Sequence, residues 1–228
     1  MRDVVYILKR DVDSEELRYS LRSVCDNMEF GHVWFFCGCP EWAQPDYHVP
    51  FIQKGTDGWV KQFETFGEIA RTEGVSDEFY LFNDDFFVMK PYTLHGNECS
   101  GTLYGRALAI RDAYGQDTAY SKRLLYTAKM LQFKHLDRIS YEVHMPMLME
   151  KSKVAQTYAE FDNRVFFRSA YGNQHFIGGT IMRDVKVSAS EPFDRDSALL
   201  STNDKNFLTG AVGKFIRRQF PKKCRYER

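Results

Sequence analysis

The stretch EFYLFNDDFFVM, Glu78 to Met89, runs aromatic and aliphatic side chains into Asn83, Asp84 and Asp85 and then straight back into Phe86 and Phe87. Read as one uninterrupted strand, it would turn Asp84 and Asp85 to opposite faces of a sheet. A carboxylate left buried and unpaired there would erase much of a domain's stability. The strand is therefore expected to end at Phe82. Two arrangements then compete for the acidic pair. One is a solvated turn. The other is a loop whose carboxylates hold a divalent cation, which in turn binds a diphosphate. The immediate return to an apolar FFVM favours the second.

Working outward, residues 3–8 (DVVYIL) form a β-branched and aromatic run of the kind that makes buried strands. The spacing of Leu17, Leu21 and Val24 predicts a helix over 13–28, with Ser14 as N-cap and Glu15 and Glu16 in its first turn. HVWFFCG (32–38) predicts a second strand, and HVPFIQ (48–53) a short third one whose proline suits an edge. Residues 58–74 predict an amphipathic helix with Trp59, Phe63, Phe66 and Ile69 on one face. Strand, helix, strand, strand, helix, strand is the rhythm of an α/β sheet with crossovers. Such sheets bind ligands at the carboxyl ends of their strands. Residues 9–13 and 83–85 both fall there.

Beyond Pro91 the pattern loosens. Residues 119–133 predict a helix, 139–161 an extended segment running into a helix, 176–182 and 185–190 strands, and 209–220 a last helix. There is no internal repeat, low-complexity tract or linker, so residues 1–228 are expected to form one unit.

At 228 residues with 43% hydrophobic and 15% aromatic side chains, the chain can bury a sizeable core and is no disordered polymer. Lys and Arg match Asp and Glu at 31 each, which excludes a general polyanion binder. Charge is uneven, however. Over residues 214–228 seven Lys and Arg face the single Glu227, a net of +6 that leaves −6 on the rest. The five cysteines are odd in number and contain no C-x-x-C pair, so neither a disulfide framework nor a structural zinc site is signalled. Cys37 and Cys39 read as buried thiols of one strand face. The first residues are charged too early for a signal peptide and no window suits a membrane span, so a cytoplasmic location is expected.

Three polar sites stand out in the second half. His144, two residues before Pro146, has the chemistry of a general base near neutral pH, although a core or turn histidine is the plainer reading. Arg168, in FFRSAYGN, follows an aromatic pair and precedes a Tyr-Gly-Asn turn; a guanidinium there clamps a phosphate or stacks on its aromatic neighbours. LLSTNDKNF repeats the theme of an apolar lead into Ser201, Thr202, Asn203 and Asp204, where a helix N-cap or Asx turn is the default. GAVGKF lacks the spacing of a phosphate loop, and no G-x-G-x-x-G occurs, so ordinary ATP and dinucleotide loops are excluded. Asp-Asp after a hydrophobic strand is also how many nucleotide-sugar transferases hold their donor.

Taken in order, ELRYSLRSV (16–24), FYLFNDDFFV (79–88), HMPMLMEKS with FFRSAYGN, and LLSTNDKNF resemble the successive motifs of the Stealth-type proteins. These include capsular polysaccharide phosphotransferases and the animal enzyme that places N-acetylglucosamine-1-phosphate on lysosomal glycans. The chain also resembles short glycosyltransferase-like proteins encoded by actinobacterial phages. The resemblance implies a GT-A-like fold, a nucleotide-sugar donor, Mg²⁺ or Mn²⁺, and transfer of a sugar-1-phosphate. Residues 1–91 would form the nucleotide-sugar-binding half, and 92–228 the acceptor and catalytic half with the basic tail. Asp84 and Asp85 match the metal and donor-phosphate acids, His144 the base, Arg168 the phosphate-binding arginine and Asp204 the late acid. Arg18, Asn83, Asn173 and Asn203 lie in the same motifs and join the expected donor contacts. The family's acid-bearing element before the first helix is missing here. Asp11 or Asp13 stands in for it, or Lys9 and Arg10 bind the diphosphate instead.

The expected function is thus a metal-dependent transferase moving a sugar or sugar-1-phosphate onto an acceptor hydroxyl. Polysaccharide, protein and modified DNA all qualify as acceptor. Two other classes remain open from the residues alone. A metal-dependent phosphoesterase or nuclease would use the same acids to activate water. A non-catalytic virion- or nucleic-acid-binding protein would rely on the basic tail.

Overall fold

The computed structural model describes residues 1–10, 12–93, 97–187 and 192–228; Asp11 and the end of the expected 185–190 strand lie outside the described residues. The apolar runs assemble a mixed five-stranded sheet. Strands β1 (Asp3–Leu8), β2 (Val33–Cys37), β3 (Tyr47–Val49) and β4 (Glu78–Phe82) are parallel. After β5 (Phe86–Val88), β6 (Met147–Glu150) returns antiparallel against β4, giving the order β3-β2-β1-β4-β6. The strand expected at 48–53 shortens to Tyr47–Val49 and stops before Pro50, and it takes the edge of the sheet. The division expected at residue 91 does not split the sheet, because β6 completes what β4 leaves open.

Both faces of the central strands are covered, which is why they read as continuous apolar runs. Val4, Tyr6 and Leu8 face helix α1 (Glu15–Asn27), while Val5 faces α2 (Gly58–Arg71) through Phe66 and Ile69. Leu17, Leu21 and Val24 of α1 are wholly buried, each contributing about 1.5–3 kcal/mol. Ser14 caps that helix by accepting from the Leu17 amide at 3.3 Å. Because β1 has β2 on one side and β4 on the other, the crevice between the carboxyl ends of β1 and β4 is a topological switch point. There the β1 and β2 ends come very close. A Cβ on Gly38 would stand 2.0 Å from the Lys9 carbonyl oxygen, and Cys37 takes a left-handed backbone with φ 73°.

The strand does end at Phe82. Asn83, Asp84 and Asp85 form a turn closed by the Phe86 amide donating to the Asn83 carbonyl at 3.3 Å. The apolar resumption belongs to another sheet, in which β5 pairs antiparallel with β7 (Leu199–Ser201) and Phe86 lies opposite Ser201. Phe86 and Val88 complete the core beneath α1. Phe87 and Leu200 instead pack with Phe207 of α7 (Asp204–Thr209) and Val212 and Ile216 of α8 (Ala211–Gln219).

Several expectations downstream give way to tertiary structure. Helices α4 (Ala119–Phe133) and α5 (Lys151–Glu160) form where their spacing places them. Helix α3 (Leu103–Tyr114) arises where no element was expected, and FFRSAYGN is helix α6 (Phe167–Gln174), not a turn. Its glycine answers to packing: a Cβ on Gly172 would lie 2.4 Å from the Tyr141 ring. Among the described residues the strands expected at 176–182 and 185–190 reduce to isolated bridges, Cys99 to Ile181 and Lys186 to Ser201. Nor is the basic tail a free arm. Glu227 is buried and grips Arg22 in a two-pronged pair at 2.6 and 2.7 Å, and Arg228 donates to the Trp42 carbonyl at 2.8 Å. Among the described residues no helix is long and apolar enough to cross a membrane.

Candidate functional site

A cleft of about 480 Å³ opens at the switch point. The end of β1 supplies Lys9, the turn after β4 supplies Asn83, Asp84 and Asp85, and the start of α1 supplies Glu16. The turn after β7 adds Thr202, Asn203 and Asp204, and the start of α2 adds Trp59 and Lys61. His144 and Lys186 enter from irregular segments of the second half. Seven residues expected from the sequence therefore meet here: Lys9, Asn83, Asp84, Asp85, His144, Asn203 and Asp204.

The acids are crowded and each is held differently. Asp85 Oδ2 accepts from Lys186 Nζ at 2.6 Å and from Ser201 Oγ at 3.1 Å. Asp84 Oδ2 accepts from Ser14 Oγ at 3.0 Å, so the cap of α1 also tethers this turn. Burial and then the neighbouring Asp85 push the Asp84 carboxyl above its ordinary range, with Ser14 and Lys9 opposing. Glu16 accepts a hydrogen bond from Thr202 Oγ1 and shares another with Asp204. Burial first, then the Asp204 bond and the charges of Asp85 and Asp84, raise it to about 8 in spite of Thr202. A carboxyl raised this far keeps its proton at neutral pH.

On the opposite wall Asp184 organises His144. Its Oδ2 lies 2.8 Å from His144 Nδ1, and its Oδ1 accepts the His144 and Lys186 backbone amides at 3.1 and 3.2 Å. Arg106 Nη2 adds a bond at 3.3 Å. Burial alone would raise Asp184, but the His144 bonds and the Arg106 charge hold it well below the usual carboxylate range. An ionised carboxylate only accepts, so Nδ1 carries the hydrogen of this bond, and Nε2 is the ring nitrogen left to exchange a proton.

The remaining expected residues are elsewhere. Arg10 and Asp13 line a neighbouring cavity of about 740 Å³ over the ends of β1 and β2, with Cys37, Trp42 and His48. Lys9 and Arg10, adjacent in the chain, thus serve different cavities. Arg18 does not line the cleft: it lies over the Trp42 ring at 3.9 Å and pairs with Glu15 at 3.1 Å. Nor does Arg168, which is buried and donates from Nη2 to the Met145 carbonyl at 2.8 Å, bracing the backbone next to His144. Asn173 is spent on the Ile139 amide and carbonyl at 2.9 and 2.8 Å. Both lost their expected roles because FFRSAYGN folds as a helix whose polar side chains turn inward. Asn203 does cap α7, accepting from the Asn206 amide at 2.9 Å, while still facing the cleft.

Asp84, Asp85 and Asp204, the residues expected to hold Mg²⁺ or Mn²⁺, all line the cleft. Among the described residues no three His, Cys, Asp or Glu side chains stand together as a metal-holding group. Carboxylate oxygens suited to a hard cation are present, but Lys186 and Ser201 share one oxygen of Asp85, and Ser14 takes one of Asp84. As they stand, these residues do not fit an ion. The burial problem posed by the twin acids is solved by an ammonium and two hydroxyls. Glu16, Asp184 and Lys186 were missed as site residues. Glu16 resembles any first-turn acid, and the other two lie in a segment with no local motif. No family model matches the chain, and no curated protein matches it.

Proposed function

We infer that the chain is a GT-A-like transferase whose cleft binds the diphosphate of a nucleotide-sugar and passes the sugar, or sugar-1-phosphate, to a hydroxyl acceptor. One observation carries this reading: an oriented histidine base, lysine ammonium groups and a crowd of acids converge at the switch point of a parallel sheet. The adjoining larger cavity, with Trp42 and His48 beside Arg10, is of a size for the nucleoside.

In this reading His144 Nε2 takes the acceptor's proton while Asp184 stabilises the imidazolium that forms. Lys9, Lys61 and Lys186 oppose the negative charge that grows on the leaving phosphate. Glu16, holding a proton, donates a hydrogen bond in place of adding another negative charge to the cleft. A divalent cation belongs to this reading only as a ligand for which Lys186 would have to leave Asp85.

A thermal-shift panel of nucleotide-sugars, run in EDTA and in Mn²⁺, tests the class. One donor should raise Tm, by about 2.7 kcal/mol of stabilisation at a hundredfold excess over Kd. Products then separate the two chemistries: sugar-1-phosphate transfer releases a nucleoside monophosphate, and glycosyl transfer releases the diphosphate. A chain indifferent to every nucleotide-sugar under both conditions is not this kind of enzyme.

A further inference from the structure

We propose that Lys186 is the anion-binding residue of the cleft, and that Asp85 serves to hold its ammonium in place for the phosphate groups of the ligand. The inference rests on the transferase reading but reverses the part the sequence assigns to Asp85. In place of gripping an external ion, the acid grips a cation that the chain itself carries.

Lys186 is fixed at both ends. Its backbone amide is bound by Asp184, and its residue bridges to Ser201, so the stem starts from a defined point. Its Nζ ends 2.6 Å from Asp85 Oδ2, and the Ser201 hydroxyl holds that same oxygen from the other side. The Lys186 side chain keeps 28% of its surface, against 13% for Asp85, and both line the cleft. An ammonium has three donors. One is spent on Asp85, which leaves two for phosphate oxygens. Lys9 and Lys61 also line the cleft, but among the hydrogen bonds and ion pairs of the described residues neither side chain has a fixed anchor. A lysine already ordered by a buried partner loses little further freedom on binding, which is the usual advantage of a preorganised contact.

Inorganic pyrophosphate and the uridine, cytidine, guanosine and adenosine diphosphates, titrated calorimetrically into the full chain in EDTA and in Mn²⁺, provide the test. The wild type should bind at least one of these probes in EDTA. Lys186→Ala should weaken that binding tenfold or more, and Lys186→Arg should keep it within a few-fold. Because Lys186→Ala strands a buried carboxylate, the Asp85→Asn/Lys186→Gln pair serves as a second variant. It removes both charges together, should retain the wild-type circular dichroism and melting transition, and should still lose the probe. Equal binding by the wild type and a folded Lys186→Ala or Asp85→Asn/Lys186→Gln variant overturns the proposal. So does binding that requires Mn²⁺ and survives Lys186→Ala, which would return the acids to a metal. Should the wild type bind no probe under either condition, the transferase reading falls and takes this assignment with it.

Discussion

The sheet carries buried acid at both ends, and the two ends solve the problem in opposite ways. At the amino end of β1, Asp3 is 2% exposed and receives the His32 amide at 2.9 Å, the Trp34 indole N–H at 2.9 Å and the Ser76 amide at 3.0 Å. These neutral donors come from two segments, the start of β2 and the approach to β4, so the carboxylate stitches β1 to both. At the carboxyl end Glu16, Asp84, Asp85 and Asp204 face one another across a cleft, restrained by hydroxyls and one lysine. Burial does not separate a structural acid from a functional one. The completeness of its donor set does. Asp3 has no reason to accept a ligand, whereas the opposite edge holds acids whose protons and partners can still be exchanged.

The largest effect should come from breaking the amino edge. Asp3→Ala leaves an indole N–H and two amides unpaired in the interior and should cost about 3–5 kcal/mol, while Asp3→Asn should cost less because one acceptor oxygen survives. Urea denaturation measures both. A loss below about 1 kcal/mol for the alanine variant would mean water replaces the carboxylate, and the two edges would not differ as argued.

A smaller effect, confined to a pH window, should come from Glu16. Its folded carboxyl is raised from an ordinary 4.5 to about 8. Between those values the unfolded chain has released the proton and the folded chain keeps it. Stability then falls with rising pH, from fully present near 4.5 to lost above about 8. Glu16→Gln should flatten that slope. Asp184 works in the other direction: its depressed carboxyl adds stability above its ordinary 3.8 that disappears as acid protonates the folded form. Asp184→Asn should remove this acid-side loss. Melting curves between pH 4 and 9 show whether the Glu16 slope exists and whether the glutamine abolishes it.

Much of the first half was legible because its signals are local. The apolar runs of β1, β2 and β4, the Ser14 cap and the spacing of α1 and α2 each sit within a few residues. Helix α3 was hidden because it has no single apolar face: Leu103 and Ala107 are buried while Tyr104 and Leu108 are exposed. The glycine of α6 looks like a turn residue until the Tyr141 ring is seen to need its missing side chain. The site divides in the same way. Asp84, Asp85 and His144 carry their chemistry in their own sequence context. Lys186 and Asp184 become site residues only through pairing with Ser201 and His144, 15 and 40 positions away. No window along the chain contains that information.

The smallest expected effects lie where the two roles of one hydroxyl meet. Ser14 Oγ accepts from the Leu17 amide and donates to Asp84 Oδ2. Ser14→Ala should cost about 1 kcal/mol, mostly as the lost cap. Asp84→Ala should change stability by less than that, since it removes a hydrogen bond but also relieves repulsion from Asp85. A double-mutant cycle isolates the bond itself, at about 0.5–1 kcal/mol of coupling. That modest figure distinguishes the carboxyl edge from the amino edge. Were the coupling several kcal/mol, Asp84 would be bound into the fold as firmly as Asp3, and giving up its partner to a ligand would be prohibitive. A coupling near the low figure leaves the acid anchored in the free protein and still able to trade Ser14 for a substrate.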